Sequence, residues 1–525
     1  MKTNSTDVII AGGGLAGLSL ARQLLMADAT LQITVVEKRE FPLPDTTAKI
    51  GESTVEIGSH YFTENLGLKD HFQEKHLQKH GLRCFFGEPQ ADYSQQDELG
   101  VSALFGIPTY QIERGVLENY LCTDLRSKGV DVVDGAITKS VQLANKQQQI
   151  SIKNAQGAEV VYRGRWLVDA TGRQELVKNK LGLKKDNPHQ GNAVWFRIDK
   201  RIIVDEWSAN DLWHARLREP GKRWLSTNHL MGAGYWVWII PLGSGATSIG
   251  IVMDDQALAE SKIENFEDTM LWFSKHQPVC AEKIQGAKVL DFSIVRNYSY
   301  GCKKMFSDQG WCLTGEAGAF TDPFYAPGSD FIAINNTFIT HLIVNDRQGK
   351  DIRLDSAVFH MFYNSFFEST LSLYTHQYGG FGDRKMMAVK LLWDYAYYWG
   401  VLTLLYFKGA ITDINLMRRL NPTLQRIQDN NSTMQGLLIA RAKRRLVLPA
   451  KGLFLDQYLI PCLIRFNEIL KAGDAITVSA ALRENADVLD KLSTQLANML
   501  RDDASPAISG SERALLGEYR LQVLA

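Results

Sequence analysis

The sequence predicts an α/β protein with three parts: a Rossmann-like nucleotide-binding domain, an interleaved antiparallel-sheet domain and a helical C-terminal region. Three observations predict it. The chain opens DVIIAGGGLAGLSLARQLL, an apolar strand, a glycine turn and a helical repeat. Near its middle, YWVWIIPL alternates as a half-buried strand does. From about residue 350 the apolar spacing becomes helical. The expected segments are 1–185 and 291–348 for the nucleotide domain, 186–290 for the sheet domain and 349–525 for the helical region.

The glycines fit G-x-G-x-x-G as Gly12, Gly14 and Gly17. The first permits the tight turn, the second lets backbone approach a pyrophosphate, and the third lets helix and strand pack closely. The helix start, with Leu15 and Ala16, then offers unpaired N–H groups to the phosphates. LQITVVEK is a second strand, ending in Glu37 and Lys38, and Glu37 lies where a carboxylate receives ribose hydroxyls. YWVWIIPL puts Trp236 and Trp238 on one strand face, and Pro241 ends the strand or marks an edge. A buried core strand would use the same pattern.

Composition narrows the function classes. Lys plus Arg and Asp plus Glu both number 58, so no net charge draws nucleic acid or an anionic membrane. The six cysteines form no CxxC pair, which argues against a metal ribbon or a disulfide framework and fits a reducing, cytoplasmic setting. The strand that starts almost at the N-terminus leaves no room for a signal peptide. YAYYWGVLTLLYF (395–407), the longest apolar stretch, is too short to span a bilayer.

Two more strand-to-turn segments select the cofactor. RWLVDATGR (165–173), with Asp169, and GWCLTGEAGAFTDPFYAPGSD (310–330), with Gly315 and Glu316, resemble the second and third FAD fingerprints of the aromatic-hydroxylase superfamily. In QIERGVLENYL (111–121), Arg114 matches the superfamily arginine that lies against the cofactor; a surface cation on a helix is the other reading.

Within that superfamily the chain resembles the flavin-dependent halogenases. AKIGESTVEIGSHYF (48–62), with Glu52 and Ser53, is similar to their GE-S/T segment beside the flavin. YWVWIIPLGSGATSIGIV (235–252) is similar to their W-x-W-x-I-P strand, although Tyr235 stands where they have Gly, and prenyl reductases carry a related strand. The resemblance covers about residues 5 to 345. It implies FAD, used as FADH2, with O2 and halide as co-substrates. A flavin hydroperoxide then makes hypohalous acid, which reaches the aromatic substrate elsewhere. Trp236 and Trp238 would be the wall between the two places, and a lysine would deliver the halogen. By alignment that lysine is Lys79, in HLQKHGLRCFFG (76–87); a solvated lysine is the alternative.

The family's halide is held after the third fingerprint by an S/T-G pair, here Pro327 and Gly328 followed by Ser329. Proline supplies neither hydroxyl nor N–H. Tyr325 replaces the glutamate of tryptophan-specific members, which argues against free tryptophan, and the Asp322-Pro323-Phe324 form resembles the branch acting on phenols or carrier-tethered pyrroles; the resemblance implies an electron-rich phenol, pyrrole or indole as substrate. Without a second Rossmann fingerprint for NAD(P)H, a partner flavin reductase is expected. In the helical third, Trp393, Tyr397 and Trp399 either line a lid over the substrate or belong to a buried layer. RAKRRL (441–446) either docks an acidic carrier or is a solvated helix face. A hydroxylating monooxygenase, or a flavoprotein with a binding or maturation role, would use the same scaffold.

Overall fold

A computed structural model describes residues 2–45, 49–473, 476–501, 510–519 and 523. Ala48, the first residue of the GE-S/T segment, and residues 474–475, 502–509, 520–522, 524 and 525 of the expected helical region lie outside them. The chain forms two units, one from 1–76, 112–188 and 299–370 and the other from 77–111, 189–298 and 371–525. Among the described residues, no helix is long and apolar enough to cross a membrane.

The first unit is built on an eight-stranded sheet. Its parallel centre runs Trp311–Leu313, Glu159–Asp169, Lys2–Ala11, Ile33–Val36 and Asp131–Val133. Val8, Ile9, Ile10 and Ala11 are fully buried, as a strand covered on both faces requires. The register aligns Ala11 with Asp169 and Val36, and Asp169 with Leu313. Three strands therefore end side by side, and the three glycine-bearing turns leave the sheet at one carboxyl edge. Ligands bind at such an edge in open α/β sheets.

The second unit holds another eight-stranded sheet, in the order Val289–Val295, Asn192–Ile198, Thr247–Met253, Tyr235–Pro241, Thr227–Gly232, Leu82–Phe86, Asp97–Gly100 and Phe454–Asp456. The middle of this sheet is antiparallel, as the alternation predicts. Leu82–Phe86 and Phe454–Asp456 join it in parallel. The last of these comes from the region read as helical, and three edge residues carry no periodic signal. Val237 and Ile239 point into one core with Phe196, Ile249 and Ile251, beneath a helix over Phe266–His276. Fully burying each such side chain contributes about 1.5–3 kcal/mol. Trp236 and Trp238 take the opposite face, their rings 5.8 Å apart. Beyond residue 370 the chain is mainly helical, over Arg384–Tyr397, Ile414–Ala442, Pro461–Lys471 and Val478–Arg501.

A buried ion network anchors the strand next to the edge of this sheet. Glu98 is wholly buried and binds Arg83, Arg223 (2.9 Å) and Arg216 (3.7 Å). Trp213 covers the Arg223 guanidinium at 3.7 Å. Burial raises the Glu98 carboxyl pKa, but the surrounding arginines outweigh it and hold the group below the usual range. Next to it, Asp97 pairs with Arg384 of the helical region at 2.7 Å. Glu98→Ala would leave guanidinium charge buried without its counter-charge, and is expected to destabilise the protein by about 3–5 kcal/mol. Urea denaturation at pH 7 measures this; a loss below about 1 kcal/mol would place the network in solvent rather than in the core.

Candidate active site

In the first unit the glycine turn is held by close backbone contact. Gly12 has φ +112°, a conformation that favours glycine. A Cβ on Gly17 would lie 1.9 Å from the Gly12 carbonyl oxygen, so the helix over Leu15–Ala27 rests directly on the turn. Gly14 is different: among the described residues, a Cβ there would meet only the Lys49 Nζ, at 3.9 Å. The helix start after Gly14 has no side-chain cap, so its first-turn N–H groups keep their capacity to bind an anion.

The predicted residues gather around this turn. Glu37 is buried and accepts from the Gly13 N–H (2.7 Å) and the Arg39 N–H (3.0 Å), while Lys38 is exposed. Glu52 and Ser53 are buried, and the Glu52 carbonyl accepts from the Ile112 N–H at 2.6 Å. Arg114 is no surface cation. It donates to the Ile50 carbonyl (2.6 Å) and pairs with buried Glu118 (2.6 Å), which also binds Lys49 and Arg39. Lys49 carried no sequence signal, because only the fold brings it to Gly14. Burial, offset by Glu118, lowers its ammonium pKa to about 8.

The other two turns show what they hold. Asp169 is fully buried and accepts from Thr171 Oγ1 (2.6 Å) and from the N–H groups of Thr171 (3.1 Å) and Val177 (2.8 Å), tying its own loop together. Gly315, at φ +59°, approaches Ala16 of the first helix: a Cβ on it would lie 3.0 Å from the Ala16 Cβ. Glu316 is 39% exposed and pairs with Arg173 at 3.2 Å. Further on, Ala326 takes φ +54° immediately before Pro327, which precedes the long helix over Gly328–Arg347. A non-glycine residue in that region is strained by about 1–3 kcal/mol, and such strain clusters at binding sites. Among the described residues, a Cβ on Gly328 would meet nothing within 4 Å. The Ser329 hydroxyl turns the other way and is buried against Gly58, whose Cβ would come within 2.2 Å of it.

The second unit carries Lys79, Trp236 and Trp238. Lys79 is only 2% exposed, so it is not the solvated lysine of the alternative reading. Its N–H donates to the Thr109 carbonyl at 2.8 Å. His229, on the strand next to Trp236, has its ring 5.4 Å from that indole. Burial first, then the charge of Lys79, depress the His229 pKa to about 3, which keeps its imidazole neutral. His229 was not foreseen, since a single histidine in a strand is no signal until its neighbours are known. The indole N–H groups are satisfied: Trp236 donates to Tyr378 Oη (3.0 Å) and Trp238 to Ser248 Oγ (3.2 Å). Trp238 also lies flat over Gly250, where any Cβ would strike its ring at 2.2 Å.

Comparison with known proteins decides the family. Residues 5–338 match the FAD binding domain family. The chain belongs to that family. It is 28% identical over 369 residues to the flavin-dependent halogenase chlA of Dictyostelium discoideum, covering 65% of this chain and 60% of that protein. The chain thus spans well under two thirds of that relative's length. It is 25% identical over 355 residues to the 1H-pyrrole-2-carbonyl–peptidyl-carrier-protein chlorinase of Pseudomonas fluorescens, covering 65% of this chain and 75% of that protein. The crystal structure of halogenase PltM with phloroglucinol and FAD shares the fold, with a TM-score of 0.64, 16% identity and coverage of 94% and 96%. The resemblance to flavin-dependent halogenases is therefore borne out.

The residues of this FAD-binding protein fit an FAD. The open face of Gly14, the uncapped helix start and the Lys49–Arg114–Arg39 cluster would hold its pyrophosphate, and Glu37 its adenosine end. Two outcomes separate structure from binding. Gly17→Ala is expected to disrupt the turn and lower the melting temperature. Gly14→Ala should leave the apoprotein's melting temperature unchanged and weaken flavin binding at least tenfold, read by fluorescence titration. Equal effects on stability would mean that Gly14 faces protein. Lys49 predicts a pH dependence. An anion beside it favours the ammonium form, so affinity is full below about 8 and falls as pH rises through that value, by up to about tenfold per unit. Lys49→Gln should remove this slope between pH 7 and 9.5.

Proposed function

We propose that this protein halogenates an electron-rich aromatic compound of phenol, pyrrole or indole type, using FADH2, O2 and chloride or bromide. The observation that carries the reading is buried Lys79 beside neutral His229, on the unit that bears Trp236 and Trp238. When bound and reduced, FAD supplies, with O2, the oxidising power that converts halide to hypohalous acid. Lys79 then engages that acid. Its buried side chain, as an amine or a hydrogen-bonding ammonium, can hold the halogen for delivery. Neutral His229 adds no second charge beside Lys79. The paired indoles keep water from that face, which preserves an oxidant that water would consume.

A separate flavin reductase supplies FADH2. The substrate is a free small molecule or one tethered to a carrier protein; carrier-bound pyrrole is what the Pseudomonas relative's name describes. All six cysteines are unpaired, which supports a reducing cytoplasm as the setting.

One observation favours a second reading, hydroxylation. Pro327 has neither the N–H nor the hydroxyl of the family's Ser or Thr, and the hydroxyl of nearby Ser329 is buried against Gly58. Gly328 N–H and the helix start remain for an anion.

Mass spectrometry of phenol, indole and pyrrole panels, incubated with a flavin reductase, NADH, FAD and bromide, tests both. A product heavier by one bromine, reduced on the order of 100-fold or more in Lys79→Ala, is expected. A gain of one oxygen regardless of bromide would overturn the halogenase reading in favour of the hydroxylase.

A further inference from the structure

In the second unit, the Arg384–Tyr397 helix does not end but widens into a π-helical turn over Tyr398–Thr403. Such turns are uncommon and cluster at functional sites. Around this one, four buried polar atoms have no hydrogen-bond partner among the described residues: Trp399 Nε1, Thr403 Oγ1, Asn467 Nδ2 and Asn485 Oδ1. Each residue is at most 2% exposed. Their positions are tied to the turn. Asn485 donates its amide to the Gly400 carbonyl at 2.8 Å, and Phe466, next to Asn467, lies against Gly400. Asn467 in turn accepts from the Gly106 N–H at 3.3 Å.

Gly106 belongs to the 101–109 loop, which covers the turn. Phe105 of that loop meets the Trp399 ring edge-on at 4.8 Å and the Tyr458 ring at 5.2 Å. Gly106 at the tip is exposed, and Lys471 lies across it as a cation at the rim. The loop's far end is Thr109, whose carbonyl receives the Lys79 N–H. Trp393 and Tyr397 belong to the layer instead: Trp393 is fully buried and donates to Asn431 at 2.9 Å, and Tyr397 donates to Gln428 at 3.1 Å.

Buried polar atoms without partners are costly unless something else bonds them. Here two of the four are N–H donors, a third is a hydroxyl that can donate, and the walls are aromatic. We propose that the π turn under the 101–109 loop is a binding subsite for a planar aromatic ring carrying carbonyl or hydroxyl oxygens. The ring stacks among Trp399, Phe105 and Tyr458, and its oxygens accept from Trp399, Thr403 and Asn467. The loop admits the ring, and through Thr109 it is continuous with the backbone of Lys79. The inference rests on the proposed function only in naming this ring as the compound to be halogenated.

The test is calorimetric titration of the full-length, FAD-loaded protein, without halide or reductant, with 2,4-dihydroxyacetophenone and with isopropylbenzene. The oxygenated ring is expected to bind at least about tenfold more tightly than the hydrocarbon. Trp399→Phe, which keeps the ring and removes the N–H, and Asn467→Leu should each weaken it about tenfold. Hydrogen exchange in the 101–109 loop should slow on binding. Phe105→Ala, at a half-exposed loop position, serves if the buried variants fail to fold, and should also weaken binding. No binding, equal binding of both rings, or affinity unchanged in the variants overturns the subsite and leaves ordered water as the partner of these atoms. Because no turnover is involved, binding by a protein that never brominates would remove the halogenase reading and leave the subsite standing.

Discussion

A helix can start one residue after a glycine turn only if its first turn may touch that turn's own carbonyl. Gly17 allows this contact with Gly12, and the first unit is arranged around it. The close approach aims the free N–H groups of the Leu15–Ala27 helix at the carboxyl edge of the sheet. One side chain then locks the surroundings. Asn336, fully buried in the Gly328–Arg347 helix, donates to the Ala16 carbonyl (3.1 Å), Ser19 Oγ (3.1 Å) and Tyr61 Oη (3.0 Å), and accepts from Thr314 Oγ1 (2.7 Å). The first helix, the third glycine turn and the long helix thus share one polar hub. Breaking the Gly17 contact would displace all three, because a satisfied buried network tolerates no single shift.

The second unit depends on charge taken out of water. Glu98 holds the strand next to the sheet's edge through its arginines, and Lys390 pairs with Asp394 at 2.8 Å inside the helical layer. These pairs are costly to bury, and breaking one leaves an uncompensated charge. They fix geometry more than they add stability. Lys79 and His229 use the same desolvation differently. Both side chains are kept dry, and burial together with the charge of Lys79 keeps the imidazole neutral.

Much of this was legible in the residues. The glycine turn, the acid at Glu37 and the strands ending at Asp169 and Leu313 follow from local pattern, because a turn's conformation and a strand's alternation are set within a few residues. The alternation also put Trp236 and Trp238 on one face. It could not say whether that face is core, since a wall and a core strand use the same side chains. Lys49 and His229 were invisible for a related reason: each matters only through a neighbour distant in sequence, Gly14 for one and Lys79 for the other.

By itself, then, the sequence determined the α/β class, the nucleotide turn, the strand that carries the indoles and the helical period of the last third. Only the tertiary structure decided that Lys79 is buried and that Arg114 is sequestered by Glu118. It alone turned the Ser329 hydroxyl toward Gly58, and it alone took a strand at Phe454–Asp456 out of the helical third. The division has one physical cause. Backbone conformation and periodicity are short-range properties that the local sequence specifies, whereas desolvation and hydrogen-bond partnership depend on whichever distant segments the fold brings alongside.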